Sequence, residues 1–232
     1  MKYQRSTIRD AITLLITAVT ARYKDPDRYH GYVLESGRAQ LAKEVAEVVS
    51  NRIVTPNKNV TKLQPRVLDV AAGTGIVSAA LTKQHLSVTA FDHSANMLSL
   101  LKKQSVQIEI KVGDMNKLWP FDDGQFDAVT IVWGNRYIVD LDHFSREAFR
   151  VLKPGGTLVW PIFLLERPLW WLFLLKQKGI SQLFSIVRLA PKNIANALQS
   201  LSFESATIES SKLHREVGWW QKPRYIIAKR SL

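Results

Sequence analysis

Residues 67–75 read Val67-Leu68-Asp69-Val70-Ala71-Ala72-Gly73-Thr74-Gly75, and they are the most informative stretch of the sequence. It predicts a buried strand that ends in a turn of small residues and opens a helix. Such a turn lets the backbone come close to a ligand, because bulky side chains are missing. It also aims the N–H groups of the helix N-terminus at that ligand. Asp69 can then accept a hydrogen bond from an amino group of the ligand or order the loop.

Taken alone, the turn leaves the ligand class open. The run Gly73-Thr74-Gly75-Ile76-Val77-Ser78 nearly matches the fingerprint of dinucleotide-binding proteins, with serine in place of the third glycine or alanine. A dinucleotide site and a plain glycine-rich turn are both compatible with this run, so the sequence that follows has to discriminate between them.

Strand and helix patterns alternate from residue 65 onward. Predicted strands cover residues 66–70, 87–91, 106–112, 126–133, 157–163, 203–210 and 224–230. Predicted helices cover residues 75–84, 94–103, 140–152 and 191–201, and Lys153-Pro154-Gly155-Gly156 is expected to end the third of them. This alternation predicts a parallel sheet with helices on both faces. Ahead of it we predict helices over 6–23 and 35–50, the first followed by a polar turn at 24–27.

Two acidic residues follow the second and third predicted strands. Asp92 ends the strand that begins at Ser87, and Asp114 comes directly after the next one. An acid at position 92 can bind both hydroxyls of a ribose, and a carboxylate at position 114 can meet the amino group of an adenine. Open α/β sheets bind ligands at the carboxyl ends of their strands, which is where both residues are expected.

The composition excludes some chemistry and leaves the partner open. The chain has no cysteine, so disulfides, thiolate metal sites and thiol nucleophiles are excluded. Of the formal net charge of +12, residues 1–64 carry +5, residues 65–160 carry none and residues 161–232 carry +7. These basic flanks either face something anionic or form a solubilising surface. The first residues lack a clear signal-peptide pattern, so a cytoplasmic location is expected.

With these motifs the chain resembles the class I S-adenosylmethionine-dependent methyltransferase family. Within that family it is most similar to the small-molecule type that includes quinone-biosynthesis C-methyltransferases. The matching stretches cover about residues 65–160 and are Val67–Gly75, Phe91–Leu98, Gly113–Met115, Phe126–Val129 and Phe149–Gly156. The resemblance implies a Rossmann-like, doubly wound, seven-stranded α/β sheet whose last strand is antiparallel. We expect an N-terminal helical cap over 1–64 and a methyltransferase domain over 65–232, with an apolar helical insert at 164–190 after the fifth strand.

The resemblance also implies which residues surround S-adenosylmethionine. Asp92 would bind the ribose and Asp114 the adenine, whose ring Met97 and Met115 would flank. The methionine end would be lined by Asp69, Gly73 and Gly75. The predicted cofactor-binding set is completed by Ala71, His93 and Trp133. The family usually has glycine at position 71. The N-terminal segment of the quinone enzymes is not recognisable, and Glu166 only partly matches their acidic residue and serine after the fifth strand.

The segment after the fourth predicted strand points to the acceptor. Many amino-group methylases of nucleobases have Asn/Asp-Pro-Pro-Tyr there, whereas this chain has Trp133-Gly134-Asn135-Arg136-Tyr137. We expect Trp133 and Asn135 to line the active site and Arg136 to orient an oxygen or carboxylate of the acceptor, a simple loop being the alternative. His30 is a candidate base because its pKa suits proton transfer near neutral pH. It stands near Tyr23, Tyr29 and Tyr32, and a surface histidine is the alternative.

Residues 164–190 are unusually apolar, but the run after Pro168 is too short to span a bilayer. Three interpretations stay open: a lid over an apolar acceptor pocket, docking at a membrane interface through Trp and Leu, or a cap on the sheet or a dimer surface. The sequence indicates no metal site and leaves the oligomeric state open.

The favoured function is methyl transfer from S-adenosylmethionine to a small acceptor, apolar or aromatic in character. One alternative is an RNA or protein methyltransferase, which the basic flanks favour although no nucleic-acid-binding module is recognisable. An NAD-dependent oxidoreductase and a non-catalytic cofactor-binding protein are alternatives from other functional classes.

Overall fold

Seven strands form one sheet in the computed structural model, which describes residues 25–35, 38–53, 64–103, 107–162, 191–200, 203–211 and 224–232. The strands are β1 (Arg66–Val70), β2 (Ser87–Asp92), β3 (Ile108–Val112), β4 (Phe126–Ile131), β5 (Leu152–Ile162), β6 (Phe203–Ser210) and β7 (Arg224–Arg230). The helices are α1 (Pro26–Glu35), α2 (Arg38–Arg52), α3 (Ile76–Thr82), α4 (Ala95–Lys103), α5 (Leu141–Val151) and α6 (Pro191–Ser200), with a short 3₁₀ helix over Asn135–Tyr137.

The strand order is β3-β2-β1-β4-β5-β7-β6. Strands β1 to β5 pair in parallel, whereas β7 runs antiparallel to both of its neighbours, β5 and β6. The predicted seven-stranded α/β sheet with an antiparallel last strand is therefore confirmed. The chain order reverses on either side of β1, which is the position where open α/β sheets have their ligand crevice.

Successive side chains of the central strands pack into different cores, because strand residues alternate between the faces of a sheet. In β1, Val67 packs with α2 and α3, while Leu68 packs with α5 and α6. Burying each such aliphatic side chain contributes about 1.5–3 kcal/mol. Helix α2 thus belongs to the same core as the sheet, and the division of the chain at residue 64 stays a prediction.

The start of α1 corrects the sequence prediction. We expected a polar turn at 24–27, but a helix begins at Pro26. The Asp25 side chain accepts from the backbone N–H of Arg28 at 3.1 Å, and proline suits the first helical position, where no N–H is needed. Asp25-Pro26 is therefore a helix start. Helix α2 runs from Arg38 to Arg52 instead of 35–50, and the predicted helix at 6–23 lies outside the described residues.

Strand β5 also differs from its prediction. It begins at Leu152, so Lys153-Pro154-Gly155-Gly156 belongs to the strand instead of preceding it. Leu152 pairs with Phe126 and Thr157 with Ala128, so the register shifts across this segment. Gly155 has a φ of +74°, a left-handed conformation that suits glycine.

The predicted helical insert at 164–190 lies outside the described residues, as does residue 106, where we expected the third strand to begin. Within the parts of the chain that are described, no helix is long and apolar enough to cross a membrane.

Candidate functional site

A cavity of about 500 Å³ opens at the carboxyl ends of β1, β2, β3 and β4. Its volume is in the range that holds a nucleoside-sized ligand. Nine of the residues predicted to bind the cofactor line it, namely Asp69, Ala71, Gly73, Asp92, His93, Met97, Asp114, Met115 and Trp133. The structure thus brings together side chains that are up to 64 positions apart in the sequence, because parallel strands end at the same edge of the sheet.

The turn between β1 and α3 takes up left-handed backbone conformations at three positions. The φ angles of Ala71, Gly73 and Gly75 are +55°, +57° and +79°. Gly73 lines the cavity, whereas Gly75 lies behind the turn: a Cβ there would be 2.0 Å from Cδ2 of Leu101 in α4. The lack of a side chain at Gly75 lets α4 approach the turn, and the predicted place of Gly75 at the methionine end stays a prediction.

Asp92 connects the end of β2 to this turn. Its Oδ2 accepts from the backbone N–H of Gly73 at 2.8 Å, and its Oδ1 accepts from that of Ser94 at 2.9 Å. Nδ1 of His93 lies 3.3 Å from Oδ1. Each carboxylate oxygen has two lone pairs, so Asp92 keeps acceptor capacity toward the cavity while it is held in place.

Asp69 is almost fully buried at the end of β1. Burial raises the pKa of its carboxyl group to about 7; the nearby charge of Asp92 adds to this increase, and the hydrogen bond from Ser78 opposes it. The Ser78 hydroxyl donates to Oδ2 at 2.5 Å. Near neutral pH this group can therefore either accept or donate a hydrogen bond at the cavity wall.

Asp114 is held by a residue for which the sequence predicted no role. Its Oδ1 accepts from the backbone N–H of Asn116 at 2.9 Å and from the Asn116 side-chain amide at 3.2 Å. The backbone hydrogen bond is the main reason that the pKa of Asp114 lies below its ordinary value. Asn116 lines the cavity as well. Asp-x-Asn spacing is common in turns whose side chains bind nearby backbone groups, so the sequence did contain a pattern that could have indicated the role of Asn116.

The two methionines lie on the β2 and β3 side of the cavity, and both are largely buried. Phe91 of β2 lines this side too. Its ring requires a glycine at the end of β3, because a Cβ at Gly113 would be 2.7 Å from Cε2 of Phe91. The apolar surface formed by Met97, Met115 and Phe91 suits the flat face of an aromatic base.

Helix α1 closes the cavity from the N-terminal side. Tyr29 and Val33 line the wall, and His30 places Nδ1 3.2 Å from Oγ1 of Thr74, within hydrogen-bonding distance. His30 itself does not reach the described cavity wall, so it contacts the site through Thr74 of the β1–α3 turn. Its predicted role as a base stays a prediction.

The segment after β4 forms the remaining wall. Trp133 has a left-handed φ of +59° and lines the cavity together with Gly134 and Tyr137. The guanidinium of Arg38 in α2 lies 5.8 Å from the centre of the Trp133 ring. Asn135 lies in the 3₁₀ helix and is not part of the described wall.

The backbone of Arg136 belongs to the same 3₁₀ helix, whereas its side chain lies outside what the structure describes. Among the described side chains, no group of three or more His, Asp or Glu residues is arranged to hold a metal ion.

The central part of the chain is similar to known proteins. Residues 68–160 match the family profile described as a methyltransferase domain. The demethylmenaquinone methyltransferase of Renibacterium salmoninarum is 46% identical over 94 residues, which are 40% of this chain and 39% of that protein. The ubiquinone/menaquinone biosynthesis C-methyltransferase UbiE of Geotalea daltonii is 35% identical over 147 residues, which are 56% of this chain and 62% of that protein. The chain thus spans about two to three fifths of these curated relatives.

Solved structures share the fold over a larger part of the chain. A putative S-adenosylmethionine-dependent methyltransferase of Methanococcus maripaludis superposes with a TM-score of 0.62 at 21% identity, covering 90% of this chain and 94% of its own. The resemblance to the S-adenosylmethionine-dependent methyltransferases, with the quinone C-methyltransferases among its relatives, is therefore confirmed over the centre of the chain. Residues 68–160 match a methyltransferase domain, and the Rossmann-like sheet that contains them shares its fold with a solved S-adenosylmethionine-dependent methyltransferase.

Proposed function

We propose that this protein transfers the methyl group of S-adenosylmethionine to a small apolar or aromatic acceptor. The observation that carries the proposal is the meeting of three carboxylates, Asp69, Asp92 and Asp114, at one cavity. They lie at the carboxyl ends of β1, β2 and β3, so they are spread along the edge of the sheet. One elongated ligand with an amino group at each end and a ribose between them matches such a row.

The three carboxylates take different parts in binding. Asp92 accepts from the two hydroxyls of the ribose with the lone pairs that Gly73 and Ser94 leave available. Asp114 accepts from the adenine amino group, and Met97 and Met115 pack against the ring. Asp69, together with the backbone of the β1–α3 turn, holds the amino group at the methionine end. His93 adds a contact at the ribose, and Ala71 and Trp133 enclose the methionine end.

The bound sulfonium supplies an electrophilic methyl group, whose transfer leaves a neutral thioether. The protein's part is to align the acceptor with that methyl group and to exclude water, since proximity and orientation account for most of such catalysis. Tyr29 and Val33 on one side and Trp133 and Tyr137 on the other form a mainly apolar wall that suits an aromatic ring.

Asn135 and Arg136 stand between the wall residues Gly134 and Tyr137, and within this proposal they bind polar atoms of the acceptor.

His30 acts as the base if the acceptor reaches the methyl group still protonated. His30→Gln would then lower kcat without changing cofactor affinity. A loss of cofactor affinity with unchanged kcat would assign His30 to holding Thr74 instead. Because the similar proteins are named as methyltransferases of quinone biosynthesis, quinone rings are the first acceptors to screen.

Calorimetric titration with S-adenosylmethionine, S-adenosylhomocysteine and NAD tests the proposal. We expect micromolar binding of the first two and none of NAD. Asp92→Asn should weaken binding at least tenfold, whereas Asp142→Asn, which changes an exposed carboxylate on α5, should not. Binding of NAD alone would favour an oxidoreductase, and cofactor binding without turnover of any acceptor would favour a binding protein.

Membrane docking through residues 164–190 stays a separate prediction, which co-sedimentation with anionic vesicles at low salt would test.

A further inference from the structure

The side chain of Asn116 joins two walls of the cavity. Its Nδ2 donates to Oδ1 of Asp114 at 3.2 Å and to the backbone carbonyl of Tyr137 at 3.0 Å. Its Oδ1 accepts from the backbone N–H of Val139 at 2.8 Å. One amide therefore links the segment after β3 to the segment after β4.

The chemistry of these partners fixes the orientation of the amide. The N–H of Val139 can only donate, so the atom facing it must be the amide oxygen. The carbonyl of Tyr137 only accepts, so the atom facing it must be the amide nitrogen. A flipped amide would lose both bonds, and only asparagine offers a donor and an acceptor at this length. A carboxylate or an alanine at position 116 could not replace it.

The two linked walls have different tasks in the proposed reaction. Asp114 faces the adenine end of the cavity, whereas Tyr137 belongs to the acceptor wall. We propose that Asn116 is a positioning residue that orients the Asp114 carboxylate toward the cofactor and fixes the backbone at Tyr137 and Val139 beside the acceptor. The inference deepens the proposed function and rests on it.

The electrostatics of Asp114 agree with this role. The N–H and the amide of Asn116 both favour the charged carboxylate, and Lys117 and His93 add smaller favourable interactions. Without the amide, Asp114 would lose a donor that limits its rotation, and its pKa would move back toward the ordinary value. The effect of Asn116 on the cofactor should therefore act through Asp114, while its effect on the acceptor should not.

A double-mutant cycle separates these two effects. S-adenosylhomocysteine affinity is measured by calorimetry for the wild type, Asn116→Ala, Asp114→Asn and the double variant. We expect Asn116→Ala to weaken binding about tenfold in the wild-type background and less than twofold in the Asp114→Asn background. The KM for the acceptor should rise in both backgrounds, because the link to Tyr137 and Val139 is lost in both.

Asn116→Asp provides a second variant of the same size, so that a folding defect of the alanine variant does not decide the outcome. It keeps an acceptor for Val139 but sets an oxygen against Asp114, and it should weaken binding at pH 7 with partial recovery toward pH 5. Asn51→Ala, at an exposed position of α2, is the control for general stability.

Equal losses in both backgrounds, or wild-type affinity in Asn116→Asp, would overturn the inference and leave the proposed function intact. A wild-type protein that binds no S-adenosylhomocysteine would overturn both.

Discussion

The methyl group of Ala71 occupies the space that a side chain at Gly134 would need. A Cβ built at Gly134 would lie 2.6 Å from Cβ of Ala71 and 3.0 Å from Cδ1 of Ile131. Ala71 itself has a left-handed φ of +55°, a conformation that costs a non-glycine residue roughly 1–2 kcal/mol. The two positions are therefore matched at the cavity wall: alanine is accommodated at 71 because glycine stands at 134.

Gly134→Ala should therefore destabilise the protein by about 2–3 kcal/mol, because overpacking a tight contact forces the backbone to shift. Adding Ala71→Gly should recover part of this loss, but not all of it, since Ile131 is close to the new methyl group as well. Thermal unfolding of both single variants and the double variant measures the effect. Additive losses would show that positions 71 and 134 are not coupled.

Gly75→Ala should be more damaging, by at least about 3 kcal/mol. A Cβ there would lie within 2.0–2.6 Å of three side-chain atoms of Leu101, and the φ of +79° disfavours alanine independently. Gly31→Ala is the matched control, since a Cβ at Gly31 meets nothing within 4 Å. Alanine in that helix should be neutral or stabilise by about 0.5–1 kcal/mol. Denaturant unfolding measures the free energy of unfolding of both variants. A Gly75→Ala variant as stable as the wild type would contradict the packing role given to this glycine.

Asp69 should make the protein less stable as the pH rises from about 4 to 7. Burial raises its pKa in the folded protein to about 7, from an ordinary value of 3.8. In this window the unfolded chain releases the proton while the folded chain keeps it, so the free energy of unfolding falls with pH. Asp69→Asn removes this titration and still accepts from Ser78.

The variant should be more stable than the wild type at pH 8, by a margin on the order of 2–4 kcal/mol, and the margin should shrink toward pH 4. Urea unfolding at several pH values measures it. A margin that does not change with pH would mean that the Asp69 pKa is not raised.

Replacing Arg150 by lysine should lower the stability of the protein. Its guanidinium donates to both carboxylate oxygens of Glu147, to Asp123 and to the backbone carbonyls of Trp119 and Phe121. Lysine cannot make this planar set of bonds. Arg150→Lys should cost about 2–4 kcal/mol, since Glu147 is buried and would keep an incompletely paired charge. Arg146→Lys on the same helix, at an exposed position, should be nearly neutral in the same melting experiment.

Local patterns were sufficient for the sheet and for most of the cavity. The sequence predicted β1, β6 and β7 with their observed bounds. The acids at 69, 92 and 114 could be assigned to one site because parallel strands share an edge.

Residues whose role depends on contacts distant in sequence could not be predicted in this way. The packing of Gly75 against Leu101 depends on how closely α4 approaches the turn, and a glycine in a loop gives no information about that distance. Asn116 contacts a backbone carbonyl 21 positions away, which only the folded chain brings near. Val33 lines the cavity because a helix begins at Pro26, where the sequence predicted a turn.

Strand β7 pairs with β5 through Ile226 and Trp160 and with β6 through Ile226 and Ile208. Within the sheet, β6 therefore has no attachment of its own to the parallel strands, although it precedes β7 in the chain. The connection of β6 to the parallel strands therefore depends on a strand that is synthesised after it. In the described sheet β6 pairs only with β7, so the amides of β6 should exchange with solvent at least as fast as those of β7. When β7 separates from β5, both strands should leave the sheet together.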